Sequence, residues 1–188
     1  MTRRSGNRRS SDPEDAPGDL GTIQAFLNTV DRRKEVDKLG SPRVLASFLT
    51  GVGLLPPNAP LTNADLARAL AVREGLRSVI VARLRGEHPE AAAALLDKAA
   101  SESGLRVRFG DDGVPHLEPM GNGFEAVLGR LFAAVTTAHD DGQWPRLKVC
   151  ADPRCQVAFY DHSDNLGARW CTPRCGNRVN ARFYRRKK

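Results

Sequence analysis

The 188 residues are enough for one sizeable domain and a small module, at roughly 100–200 residues per domain. With 40% hydrophobic and 27% charged residues, the chain is ordinary globular material, which excludes a mainly disordered protein. The formal charge of +7 is unevenly placed: residues 146–188 hold eleven Lys and Arg against three Asp, a net of +8, and residues 1–145 net −1.

That asymmetry points to a polyanion partner at the C-terminal end. No apolar run of about 18 residues is present, so no membrane span is expected. The start, MTRRSGNRRSSDPEDAPGD, has no apolar stretch behind its arginines to serve as a secretory signal. A cytoplasmic location is the expectation.

Residues 1–19 mix Arg, Ser, Asp, Pro and Gly without apolar periodicity and read as a disordered leader. Ile23, Phe26, Leu27 and Val30 then recur at helical spacing and predict a first helix. Ser41 and Pro42 mark the start of a second, with Val44, Leu45, Phe48 and Leu49 facing inward. LLPPNAP is a rigid connector. Thr62 and Asp65 have capping-box spacing ahead of a long amphipathic helix carrying Leu66, Leu70, Leu76, Val79, Ile80 and Leu84. A further helix starts at Pro89. From Leu105 the period changes: Leu105, Val107 and Phe109 alternate with Arg106 and Arg108, GDDG turns, and Val114–Glu118 returns as a β-hairpin. A last helix puts Phe124, Val127, Leu128, Leu131 and Val135 inward.

The expected fold class is thus mainly α with a β-hairpin, followed by a small C-terminal treble-clef-like zinc finger of short hairpin plus helix. The expected organisation is a leader at 1–19, a helical domain at 20–145 that folds by itself, and a finger at 146–188.

The finger rests on the cysteines. All four lie between residues 150 and 175, as Cys150-x4-Cys155 and Cys171-x3-Cys175 with fifteen residues between the pairs. Two close pairs brought together by a loop supply the four soft ligands that tetrahedral zinc takes. Disulfides would need an oxidising compartment, for which the sequence gives no sign. Four thiolates leave no open position for water, so the expected zinc is one ion, structural and not catalytic. The first pair forms a knuckle, a hairpin around Val157, Phe159 and Tyr160 is expected after it, and the second pair leads into a helix. His162 reads as an exposed loop residue.

On that last helix Arg178, Arg182 and Arg185 recur at i, i+4, i+7, while Val179 and Phe183 fall on the face expected to pack against the finger. Arg174, Arg186, Lys187 and Lys188 extend the cationic surface, and Asn177 is placed to add a contact. These eight polar residues, the Arg stripe included, are the candidate nucleic-acid-binding set.

The pattern C-x4-C, FYDHSDN, RWC-x3-CGNR resembles the CGNR zinc finger, named for the run that stands here as Cys175, Gly176, Asn177 and Arg178. Phe159, Asp161, Ser163, Asn165, Arg169 and Trp170 also fall in place. FLNTVD at 26–31 and SPRVLASFL at 41–49 resemble the ABATE domain that precedes this finger in bacterial proteins. Asn180 departs from the basic or apolar residue common there. The resemblance implies a stress-induced transcription regulator. It also implies that Asn28 and Thr29 matter, either as contacts to a small effector or as caps and internal hydrogen-bonding residues.

The leading expectation is a duplex-DNA-binding regulator whose helical domain senses a ligand or forms a homodimer. An RNA-binding module and a protein-interaction adaptor with a scaffolding finger are the alternatives. An enzyme is not expected: His88, His116 and His139 lie far apart, with no nucleophile motif or phosphate loop beside them.

Overall fold

The structure, a computed structural model, describes residues 15–186. Residues 1–14 of the expected leader, and Lys187 and Lys188, lie outside the described residues. The rest of that leader belongs to the fold. Helix α1 (Gly18–Leu27) begins inside it, Ala16 is buried, and the Ala16 N–H donates to Gln24 Oε1 at 2.6 Å. Ile23, Phe26 and Leu27 are buried as the periodicity predicts. The helix stops before Val30, however. Val30 lies in β1 (Val30–Asp31), which pairs antiparallel with β2 (Val36–Asp37). Strands this short carry no readable alternation, so the sequence hides them.

Helix α2 (Pro42–Gly51) is capped by Ser41, whose Oγ accepts from Val44 N at 3.3 Å, and Pro42 takes the first turn. Leu45 and Leu49 enter the core, Phe48 stacks on Phe26 at 6.2 Å between ring centroids, and Val44 stays exposed. The capping box of α3 (Asn63–Arg85) is complete: Thr62 N donates to Asp65 Oδ2 at 2.8 Å and Asp65 N to Thr62 Oγ1 at 3.2 Å. Its middle is buried almost all round, including Val72, Leu76 and Ile80 but also Arg73 and Arg77. Helix α4 (Glu90–Ser103) packs so closely on α3 that a Cβ on Gly75 would meet Leu96 at 3.1 Å.

Strands β3 (Leu105–Phe109) and β4 (Pro115–Pro119) form the expected hairpin, with Val107 opposite Leu117. The apolar side of β3 is left largely uncovered: Val107 is 60% and Phe109 67% exposed. Only the base of the hairpin reaches the helices, where Pro119 and Leu105 abut Gly129, and the tip projects beyond them. Helix α5 (Phe124–Asp140) buries Phe124, Val127, Leu128 and Leu131 against α1, α4 and β4.

A 3-10 turn (Trp144–Arg146) leads into β5 (Leu147–Val149), which pairs antiparallel with β6 (Ala158–Tyr160), and the chain ends in α6 (Pro173–Arg186). This corrects the expected layout of the finger. One strand precedes Cys150, so the cysteine knuckle is the connection of the hairpin and does not stand before it. With the knuckle at the turn of the hairpin and α6 after it, the unit is still a treble-clef-like finger of short hairpin plus helix. The ribbon packs on α3 through β5 and on α1 through β6. Leu147, Val149, Ala158 and Trp144 share one buried cluster with Ile23, Leu76 and Leu128. The boundary drawn at 145/146 therefore runs through a common core.

Candidate functional site

The four cysteine sulfurs lie within 4.8 Å of one another. Cys150 Sγ is 3.5 Å from Cys175 Sγ, and Cys155 Sγ is 3.7 Å from Cys171 Sγ. Zinc at its usual bond length of about 2.3 Å sets tetrahedral sulfurs about 3.8 Å apart, so the donor set fits the ion. Backbone geometry fixes Cys150, Cys155 and Cys175. Cys150 N donates to Val157 O at 2.9 Å and Cys155 N to Asp152 O at 2.8 Å, with Gln156 at φ 49° turning the knuckle. Cys175 stands in the first turn of α6, where its N–H reaches Thr172 O and Thr172 Oγ1. Sulfurs this close cannot all ionise by themselves. Hydrogen bonds from Cys155 and Cys171 pull the Cys150 thiol far down, and hydrogen bonding to Cys150 pushes Cys155 up to about 12 and Cys171 higher still. A divalent cation removes that conflict.

Charge around the sulfurs is balanced by α6. Arg178 Nη2 donates to Cys175 Sγ at 3.0 Å. Arg182 Nη2 donates to Asp152 Oδ2 at 2.5 Å, and that carboxylate is buried with the same oxygen 3.9 Å from Cys175 Sγ. Two of the three stripe arginines are thus turned toward the metal centre. The spacing explains it: positions 178 and 182 are i+3 and i+7 from Cys175, so they share the ligand's own helix face. Phe183, expected to pack inward, is 55% exposed and meets Tyr184 edge-on at 6.1 Å. Arg174, Asn177 and Arg185 face outward, and no side-chain position is described for Arg186.

The CGNR run has a physical reading here. Cys175 is a ligand, and Arg178 donates to its sulfur. Gly176 is buried under the Trp170 indole, where a Cβ would stand 2.8 Å from Cδ1. Asn177 is the exposed member. Ahead of it, Asp161 organises the loop 161–168. Its carboxylate accepts from Lys148 Nζ at 2.7 Å, Ser163 Oγ at 2.6 Å, Ser163 N at 2.9 Å and Ala168 N at 3.0 Å. Burial raises the carboxyl's pKa, but these donors more than offset that and bring it to about 2. Asn165 Oδ1 accepts from Gly167 N, and Arg169 lies over the Trp170 ring at 5.4 Å.

Against this geometry the comparisons are direct. The CGNR zinc finger matches residues 146–188, and ABATE, described as "Putative stress-induced transcription regulator", matches residues 21–140. The chain belongs to the ABATE family. No curated protein matches it. The finger holds a single structural zinc on Cys150, Cys155, Cys171 and Cys175. Among the described residues, no helix is long and apolar enough to cross a membrane.

A strong chelator is expected to release about one zinc per chain. It should melt α6 and expose Trp170, while α1–α5 keep their helicity, because Trp144 and the ribbon are held by the main core. Fluorescence of a Trp144→Phe variant reads Trp170 alone. Purified protein lacking zinc, with Trp170 emission unchanged by chelator, contradicts this.

The ABATE part grips the finger through residues that the sequence did not single out, and through two that it did. Asn28 acts as a strand edge: its Nδ2 donates to Ala158 O and its Oδ1 accepts from Ala158 N, both at 2.8 Å. Thr29 Oγ1 donates to Phe26 O and accepts from Arg73 Nη1. Both residues line a pocket of about 360 Å³ with Lys38 and Phe48, but their polar groups are engaged by the protein itself.

Arg73 forms a bidentate pair with Asp37 at 2.9 and 2.6 Å, and its hydrogen bonds hold the Asp37 carboxyl below the usual range despite burial. Arg77 donates to Leu27 O and, at 2.6 Å, to Gln156 O inside the cysteine knuckle. Glu74 accepts from Arg32, Arg73 and Arg77. Arg83 donates to Trp144 O and Leu147 O, with its guanidinium over the Trp144 ring. The one sequence signal for these was two arginines, four residues apart, on the apolar side of α3.

Further cations cluster beside α6. A groove of about 680 Å³ runs between α6 and the β1–β2 turn, lined by Arg32, Arg33, Arg154 and Arg185 along with Arg178 and Arg182. A second, of about 720 Å³, continues past Arg33 and Arg178 to Lys34, Lys38 and Arg174. The grooves share Arg33 and Arg178 and form one basic trough.

Proposed function

We propose that the protein is a duplex-DNA-binding transcription regulator in which α6 is the element that meets the DNA. The observation that carries this reading is the placement of cations that the metal centre leaves exposed. Arg174 and Arg185 are exposed on α6, on the wall of a trough lined by further arginines. A helix fits the roughly 12 Å width of a major groove, and exposed arginines hold phosphates or read guanine. Asn177 shares the outward face with Arg174. Arg178 and Arg182 serve binding indirectly, by holding α6 on the metal centre. The helical part is then the sensing or self-association part, and the exposed Val107 and Phe109 favour the latter. The reading is of a binding protein and not an enzyme, since four thiolates fill zinc's coordination sphere.

An RNA-binding role is the second reading, favoured by the exposed Phe183 and Tyr184, which offer ring faces to unstacked bases. Selection of binding sites from random duplex DNA, with RNA of matched length as competitor, separates the two. The expected result is an enriched duplex motif that RNA does not displace. Enrichment of none, or displacement by single-stranded RNA, overturns the DNA reading.

A further inference from the structure

We infer that the nucleic-acid surface is composite: the β1–β2 turn of the helical part, through Arg33 and Lys34, holds the DNA backbone alongside α6 of the finger. This rests on the DNA-binding reading above. The first ground is continuity. Nine Lys and Arg against four Asp and Glu line the two grooves, which meet at Arg33 from the turn and Arg178 from α6. Of the four acids, Asp152 is neutralised by Arg182 and Asp31 is spent within the turn.

The second ground is that the turn is shaped and exposed. Asp31 Oδ1 accepts from Arg33 N at 3.0 Å and Lys34 N at 3.3 Å, which fixes the backbone. The side chains stay out in water: Arg33 is 41% and Lys34 77% exposed, and their nearest approaches to Asp31 are only 4.0 and 3.8 Å. Surface pairs this loose add little stability and are easily exchanged for a phosphate.

The third ground is rigidity. The β1–β2 hairpin and the finger are joined by the Asn28 clamp on Ala158, by Arg73 on Asp37, and by the Glu74 bridge from Arg32 to Arg77 and on to Gln156. Turn and helix are therefore presented at a fixed separation. Fourteen residues make α6 about 21 Å long, so a duplex seated on its outer face carries a phosphate strand along each flank. The trough is one of those flanks. Phosphate contacts of this kind set register and orientation, and leave base reading to the helix.

The test measures binding of a short labelled duplex to the full-length, zinc-loaded protein across a salt series. Arg33→Ala/Lys34→Ala is compared with Arg174→Ala/Arg185→Ala, and Lys98→Ala on α4 is the control away from the trough. Zinc content and thermal unfolding are checked for each, and both should be unchanged in the turn variant, whose backbone turn is held by Asp31. Each double variant is expected to bind several-fold more weakly and to lose about 0.9 of log–log salt slope per phosphate contact removed, about 1.8 for a pair. If the helix variant weakens and the turn variant matches the unaltered protein, the composite surface is wrong while DNA binding by the finger stands. If the unaltered protein does not bind duplex, both readings fail. Stronger competition by single-stranded RNA of equal length overturns duplex DNA as the occupant of the trough.

Discussion

A chain cut after residue 145 will fail to keep a stable fold, although it retains every residue of α1–α5. The cut removes Leu147, Val149 and Ala158, each 2% exposed or less, from the cluster that α1, α3 and α5 share. Full burial of a Leu or Val side chain is worth about 1.5–3 kcal/mol, so the first two alone account for about 3–6 kcal/mol. Arg83 also loses its acceptor at Leu147, and Arg77 its acceptor at Gln156. A buried donor left without a partner costs about 1–3 kcal/mol, and the Asn28 amide is stranded at the same seam. Domains are stable by only about 5–15 kcal/mol, so the losses are of the size of the whole. The measurement is urea unfolding of the cut chain followed by circular dichroism. A broad, non-cooperative transition is expected. A cooperative transition at the midpoint of the full chain would show that the ribbon is dispensable.

The same seam shows what one-dimensional patterns can and cannot carry. The capping box at Thr62 and Asp65, the Ser41–Pro42 helix start and the four ligands were legible because each depends on residues a few positions apart. Zinc needs only cysteine pairs and a loop, and the spacing states both. The clamp of Asn28 on Ala158 joins residues 130 apart, and Arg77 reaches Gln156 across 79. No periodicity encodes such a pair. Arg73 and Arg77 fall on the apolar side of α3, but spacing alone does not tell that they are buried, because burying arginine is costly unless every donor is matched. Here carboxylates and backbone carbonyls do the matching, and they come from α1, β2, the knuckle and, through Glu74, α3 itself. The β1–β2 hairpin was missed for want of length, and with it the cationic turn. The alternation in β3 tells which residues share a face, but not whether anything covers that face, and Val107 and Phe109 stay exposed.

Replacing Arg182 with alanine will damage the finger before it affects DNA binding in any other way. Position alone would assign Arg182 to the cationic stripe, and a fall in affinity would then be credited to a lost phosphate contact. The structure predicts a different cause. Asp152 is buried with a carboxylate oxygen 3.9 Å from Cys175 Sγ, and a zinc ion carrying four thiolates is itself a dianion. Arg182 supplies the cation that makes this arrangement tolerable, through its contact to Asp152 Oδ2 at 2.5 Å. Breaking a fully buried pair from one side costs about 3–5 kcal/mol. The Arg182 side chain is 33% exposed, so water screens part of the effect and about 1–3 kcal/mol is the expected loss. Arg178→Ala acts on the metal more directly, because it removes the N–H donor to Cys175 Sγ, and loss of such an outer partner weakens zinc binding by about 10–100-fold. A double-mutant cycle separates the two roles of Arg182. Asp152→Asn keeps the knuckle's backbone bonds and removes the charge, so Arg182→Ala made in that background should cost much less stability than in the unaltered chain. Zinc affinity by chelator competition and thermal unfolding read the structural part, and the salt slope of duplex binding reads the phosphate part. If Arg182→Ala leaves zinc affinity and unfolding unchanged yet lowers the salt slope by about 0.9, then its pairing with Asp152 is incidental and the residue belongs to the DNA-binding surface after all.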